Sequence, residues 1–243
     1  MTSVDRPPRL GSVDTPVIAV DGPAGSGKSS VCRAVADRLG FRYLDTGAMY
    51  RAMTWAMLDA GVDVDDPEAV VSAMDAVSII SGTDPLAPSI HVGQTNVSSP
   101  IRGDEVTGAV SAVSAVPAVR ERLVRIQRHE VSSAVSAGTG IVVEGRDITT
   151  VVLPDADLKL FITADPAERA RRRAAQDLDL GKSAVDVAET QTALLVRDAK
   201  DSGRAASPLT VAPDAVVVDT TSMSLDEVVA QIVGLVADLP ARS

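Results

Sequence analysis

The chain has 243 residues, of which 45% are apolar and 23% charged, and its formal net charge is −10. At that length and hydropathy a chain buries roughly 70% of its extended surface, which excludes general disorder. The single Cys32 excludes a disulfide scaffold, no apolar run reaches the roughly 18 residues of a membrane span, and the acidic charge excludes non-specific adhesion to nucleic acid or anionic lipid as a default.

Residues 1–15 hold Pro, Arg, Ser and Asp but no apolar stretch, so they are expected to form a disordered tail on a cytoplasmic protein rather than a secretory leader. Val17-Ile18-Ala19-Val20 is an apolar run of strand length that breaks into the Gly-rich Gly22 to Gly27, with helix-compatible residues from Lys28 to Leu39. A fully apolar strand leading into a helix is the pattern of a parallel α/β sheet. Thr46 to Ala60 reads as a helix with Met49, Met53 and Met57 four apart, a stripe expected to pack with Trp55. Asp66-Pro67-Glu68 starts a further helix through about Val77. Val77 to Ile80, Ser89 to Val92 and Thr95 to Val97 are short β-like pieces, which predicts a small antiparallel sheet inserted into the α/β body. Helices follow at Glu105 to Ala115 and Pro117 to Ala137.

The strand-then-helix pattern then returns. Ile141-Val142-Val143 runs into Gly145-Arg146-Asp147. Leu158 to Ile162 runs into Asp165-Pro166-Ala167-Glu168, with Asp as N-cap and Pro at the first helical position. Ala215 to Val218 runs into Ser224-Leu225-Asp226-Glu227, a capping-box spelling. Cys32, one turn into the first helix, reads as a small core residue, and His91 and His129 are isolated from any metal-ligand spacing.

Gly22-Pro23-Ala24-Gly25-Ser26-Gly27-Lys28-Ser29 fits G-x-x-x-x-G-K-[ST] at every fixed position, between a strand and a helix. The glycines let backbone N–H groups curl around an anion, and the helix N-terminus adds its positive end. Lys28 is placed for the β- and γ-phosphates, and the Ser29 hydroxyl for Mg2+. The chain therefore reads as a binder of a nucleoside triphosphate with magnesium. It has no N-K-x-D base-reading motif, and its only Asn is Asn96.

The cations are 19 Arg against 4 Lys. Arg grips phosphate bidentately, which suggests a kinase whose second substrate is also an anion. Arg51 closes Asp45-Thr46-Gly47-Ala48-Met49-Tyr50-Arg51, and Arg146 follows an apolar strand, where open α/β sheets bind ligands. Arg169, Arg171, Arg172 and Arg173 cluster on one helix, and Arg197, Asp198, Asp201 and Arg204 follow a polar stretch at 177–186. Two Arg-bearing segments around a polar connection read as a mobile lid. From these residues the acceptor stays open among CMP, UMP, AMP and a small metabolite. A nucleotide-dependent switch is the alternative outside enzymology, and the acidic charge weighs against its RNA-associated form.

Together these segments resemble the bacterial cytidylate kinases, over about Val17 to Leu239. The resemblance is carried by Asp21 to Ser29, Asp45 to Arg51, Ile101-Arg102, Val116 to Arg122, Gly145-Arg146-Asp147-Ile148 with Val151 to Ala156, and Arg197 to Arg204 with Ser207-Pro208-Leu209. It implies a three-layer P-loop core at 16–60, 138–170 and 205–243, a monophosphate-binding region at about 61–137, and an arginine-rich lid at about 171–204, all within one unit. The implied reaction is ATP + CMP ⇌ ADP + CDP, with dCMP as a second acceptor and Mg2+ accompanying ATP. The implied donor site is Gly22, Pro23, Ala24, Gly25, Ser26, Gly27, Lys28, Ser29 and Ser30. The implied acceptor site is Thr46, Arg51, Ser111, Arg120, Arg146, Asp147, Arg197, Asp201 and Arg204. Lys28, Arg146, Arg172 and Arg173 are the implied catalytic residues. No nucleic-acid or membrane partner is implied, and the protein is expected to be a monomer. At one position the chain departs from the family: Thr149 stands where Gly is usual.

Overall fold

The strand Val17–Asp21 (β1) is buried along its whole length, and the rest of the fold is layered around it. The computed structural model describes residues 15–179, 186–203 and 207–240. β1 leads through the Gly-rich loop into helix α1 (Lys28–Leu39), which is followed by β2 (Arg42–Asp45), α2 (Thr46–Asp59) and α3 (Pro67–Met74). Short strands β3 (Ile79–Ser81), β4 (Ile90–Val92) and β5 (Thr95–Asn96) come next, then a 3₁₀ turn at Pro100–Arg102 and helices α4 (Asp104–Ala115) and α5 (Pro117–Ser136). The chain returns to the sheet as β6 (Ile141–Glu144), makes a π-helical turn at Ile148–Val152, and continues as β7 (Leu158–Thr163), α6 (Pro166–Asp179), α7 (Val187–Ser202), β8 (Val216–Asp219) and α8 (Leu225–Ala237).

The main sheet is parallel, in the order β2-β6-β1-β7-β8. Successive side chains of a strand point to opposite faces, and β1 divides its residues accordingly. Val17 and Ala19 join Leu44, Ile141 and Val143 in a core with α2, α4 and α5. Ile18 and Val20 join Val142, Leu160 and Ile162 in a second core with Val31, Cys32 and Val35 of α1 and Val228, Val229 and Ile232 of α8. These are the three layers expected of the α/β class. Cys32 is buried in the second core, as its position in the first helix suggested.

The antiparallel insert forms as expected, with Ile79 opposite Val92 and His91 opposite Asn96. Its Ile79 and Ile90 belong to the same core as α2, so the small sheet leans on the body rather than enclosing a core of its own. Helix α3 stops at Met74, short of Val77. Arg122 explains the early end, because its guanidinium donates to the carbonyls of Met74 at 2.7 Å and Val77 at 2.6 Å and so satisfies groups a further turn would have used. After β6 the chain makes the π-helical turn instead of the expected α-helix, and Leu153 donates to the Ile148 carbonyl five residues back. Strand β2 was not foreseen; it lies at the sheet edge, and only its inner pair Tyr43 and Leu44 is buried. No described helix is long and apolar enough to cross a membrane.

Met49, Met53 and Met57 are fully buried along α2, and Trp55 packs against the same cluster. The Met53→Ala variant is expected to lose about 2–5 kcal/mol of stability, because the surrounding helices relax only partly into the gap. Urea unfolding monitored by circular dichroism measures this, and an unchanged midpoint would contradict the packing.

Candidate functional site

The C-terminal ends of β1, β6 and β2 lie side by side and open into one cleft of about 660 Å3. β1 supplies its floor. At Gly22 the backbone turns with φ +148°, and a Cβ there would stand 2.0 Å from the Ile162 carbonyl oxygen, so only Gly fits. The loop then closes on itself, with Ser26 Oγ and Lys28 Nζ each donating to the Pro23 carbonyl at 3.0 Å. Lys28 is buried, and its ammonium is pushed down to about 7, chiefly by burial and then by Arg146, against the pull of Glu144 and Asp21.

β6 ends in Glu144, a buried carboxylate that accepts from the Tyr43 hydroxyl of β2. Burial, and then Asp45, push its carboxyl above the usual range, while Lys28, Tyr43 and a hydrogen bond with Ser29 act in the opposite sense. Glu144 was not singled out in the sequence. The available signal was an apolar strand ending in a carboxylate beside the strand that precedes the phosphate-binding loop. Gly145 follows, packed so closely that a Cβ would come within 2.6 Å of Ile148 Cδ1 and of Thr46 Oγ1. The Thr46 hydroxyl donates to the Glu144 carbonyl at 2.7 Å, which ties the start of α2 to the end of β6.

Opposite the loop stands a set of held cations. Arg51 reaches from α2 to the Ile101 carbonyl at 3.0 Å and Thr107 Oγ1 at 2.9 Å. Its guanidinium is lowered to about 10 by burial and then by Arg197, Arg173 and Arg102, so several positive charges converge there. Arg146 donates through Nε to Asp201 at 3.1 Å and through Nη1 to the Gly22 carbonyl at 3.0 Å. Arg120 and Asp147 form a buried ion pair, and the Arg120 guanidinium lies 5.4 Å from the centre of the Tyr50 ring. Arg172 bonds Glu168 at 2.7 Å and Thr220 Oγ1 at 2.8 Å, and Arg173 bonds Asp177 at 2.9 Å.

Ala24 to Ser30, Thr46, Arg51, Ser111, Arg120, Arg146, Asp147, Arg172, Arg173, Arg197 and Asp201 all line this cleft. Gly22 and Pro23 shape the loop behind it, and Arg204 lies outside the described residues. The α6 arginines do not act as one group. Arg169 is buried behind the phosphate-binding loop and does not line the cleft, donating to the Ala24 and Ala164 carbonyls and paired with Asp198, while exposed Arg171 pairs with Glu168.

The family model described as cytidylate kinase matches residues 18–238. The chain belongs to the cytidylate kinase family. Among its relatives, a protein of Streptomyces avermitilis named cytidylate kinase is 53% identical, covering 93% of this chain and 95% of its own. Proteins of the same name from Streptomyces griseus and Nocardia farcinica are 54% and 51% identical, covering 90% and 93% of this chain and 92% and 96% of their own. In this cytidylate kinase family member Thr149 adopts a backbone without positive φ; among the described residues Ser207 is the non-Gly residue that has one.

Lys28 is the site's clearest case of function set against stability. If Lys28 turns from the Pro23 carbonyl to a transferring phosphoryl group, the Lys28→Met variant is expected to lose turnover by about 10²–10³-fold. Its stability at neutral pH is expected to change little, because the burial cost of the ammonium, lowered from its ordinary 10.5 to about 7, opposes what is lost with it, the bond to the Pro23 carbonyl and the charge beside Glu144. Steady-state kinetics and thermal melts check both halves; retained turnover would contradict the role of Lys28.

Proposed function

We propose that the protein transfers the γ-phosphoryl group of ATP to CMP, and to dCMP as a second acceptor, as a cytoplasmic monomer. The observation that carries this reading is the buried Arg120–Asp147 pair, set in the same cleft as the phosphate-binding loop. Cytosine offers a 4-amino donor beside ring acceptors. Asp147 would accept from the amino group, Arg120 would donate to the ring, and Ser111 would close the remaining side. Because the pair is formed already, the base would add to an existing network rather than assemble one.

Arg51, Arg146 and Arg204 would hold the acceptor phosphate, and Asp201 with Arg197 would meet the ribose hydroxyls. Arg172 and Arg173 would serve the triphosphate from a lid at about 171–204, closing over a monophosphate-binding region at about 61–137. Closure of such a lid excludes water and brings its cations onto the phosphates. Ser29 and Glu144, two oxygen donors in contact across the loop, suit the hard Mg2+ ion and would hold it. Held by Ser29 and Glu144, such an ion would supply neutralisation of phosphate charge. The residues otherwise align and neutralise; none forms a covalent bond to the phosphoryl group, and such transfer needs little beyond positioning and electrostatics.

Asp147 then sets the base preference. Uracil presents an oxygen where cytosine presents the amino group, and that oxygen would face a carboxylate with no proton between them. A preference for CMP over UMP of at least about 100-fold in kcat/KM is expected, and Asp147→Ala is expected to shrink it mainly by impairing CMP. Kinetics with CMP, dCMP, UMP and AMP on both proteins test this. Equal use of UMP by the native protein, or full preference in the variant, would overturn the assignment.

A further inference from the structure

Asp21 is a fully buried carboxylate that takes no part in the proposed chemistry. It closes β1, one residue before the phosphate-binding loop begins. Three donors meet it, and all come from the turn after Asp147. The Ile148 N–H reaches Oδ1 at 2.9 Å, the Thr149 N–H reaches Oδ2 at 2.8 Å, and the Thr149 hydroxyl reaches the same Oδ2 at 2.6 Å. The next residue grips the other side of the same segment, since the Gly22 carbonyl accepts from Arg146 at 3.0 Å. Arg146 and Asp147 therefore sit between two anchors on one strand end.

A buried charge is tolerated where hydrogen bonds replace water, and the shortest of the three here is the hydroxyl's. Thr149 itself is buried, so its hydroxyl is placed for this contact and not for solvent. Its backbone lies outside the positive-φ region, so nothing at this position calls for the freedom of a glycine. The Thr149 side chain bonds to the carboxylate at the root of the loop.

We propose that Thr149 is a positioning residue for the acceptor nucleotide: through Asp21, its hydroxyl fixes Arg146 and Asp147 relative to the phosphate-binding loop. The proposal rests on the reading of Arg146 and Asp147 as acceptor contacts. The sheet already ties the start of this segment to β1, through the β1–β6 ladder and the Gly145 N–H that donates to the Val20 carbonyl at 2.9 Å, and the bonds to Asp21 hold it beyond that point. Loss of the Thr149 hydroxyl is therefore expected to act on the proposed acceptor segment more than on the phosphate-binding loop, which is built on β1 itself.

The test compares Thr149→Val, which keeps the shape and removes the donor, with Thr149→Ser, which keeps the donor. Thr149→Val is expected to raise KM for CMP about tenfold while KM for ATP stays within about twofold. Thr149→Ser is expected to stay within about twofold of the native protein for both. Thr149→Gly, which keeps both backbone donors, is expected to show the same split as Val and carries the test if Val does not fold. An unchanged KM for CMP in Val or Gly, an equal rise for both substrates, or a Ser variant that behaves like Val would each overturn the proposal. Calorimetry of CMP with the native protein separates the two readings. If no CMP binds, the acceptor assignment fails; if it binds equally to native and Val proteins, only the role of Thr149 fails.

Discussion

A fully buried carboxylate at the end of the central strand is the constraint on which the site's geometry depends. Asp21 has no water to turn to, and burial raises its carboxyl above the ordinary range while the donors of Ile148 and Thr149 draw it back. The turn after β6 presents those donors from its first two residues, whose N–H groups the π-helical turn over residues 148–152 leaves free. The consequence is mechanical. Two segments separated by more than a hundred residues, the loop after β1 and the segment around Asp147, share one origin at the strand end. In a reaction that depends on alignment, a common origin for the proposed donor and acceptor sites would carry more weight than any single contact to either.

The same cleft resolves an apparent mismatch of charge. The chain carries a net charge of −10, yet its proposed ligands are anions. Positive charge is concentrated where the anions belong, and buried carboxylates hold it in place: Asp147 against Arg120, Asp201 against Arg146, and Glu144 beside Lys28. In a site of low dielectric, unpaired cations would repel one another and incur the full cost of desolvation. Pairing fixes each guanidinium before any phosphate arrives. Lys28 and Arg51 register the remaining crowding, since both are pushed below their ordinary values by burial and by neighbouring arginines.

What was legible in the sequence was what local chemistry writes. The phosphate-binding loop, the apolar strands and the Ser224–Glu227 capping box each follow from adjacent residues, and all stand where expected. Arg51, Arg120, Arg146 and Asp147 were legible as candidates because they sit in short Gly-containing or family-matching segments, and they share one cleft. Features made by distant partners were not legible. Strand β2 has a charged residue at each end and only two buried between them, so no apolar run marks it. Glu144 gains its meaning from Ser29 and Tyr43 across the sheet. Arg169 and Arg172 look alike in sequence, but a helix turn places the first against Asp198 and the second in the cleft.

Hydrogen exchange at two amides reads the strand-end grip directly. If Asp21 holds the Ile148 and Thr149 N–H groups permanently, both should exchange only through global unfolding, as slowly as the amides of β1, with and without ATP and CMP. Fast exchange at Ile148 and Thr149, while β1 remains protected, would mean that the acceptor segment moves independently of the phosphate-binding loop, and the shared origin would be wrong.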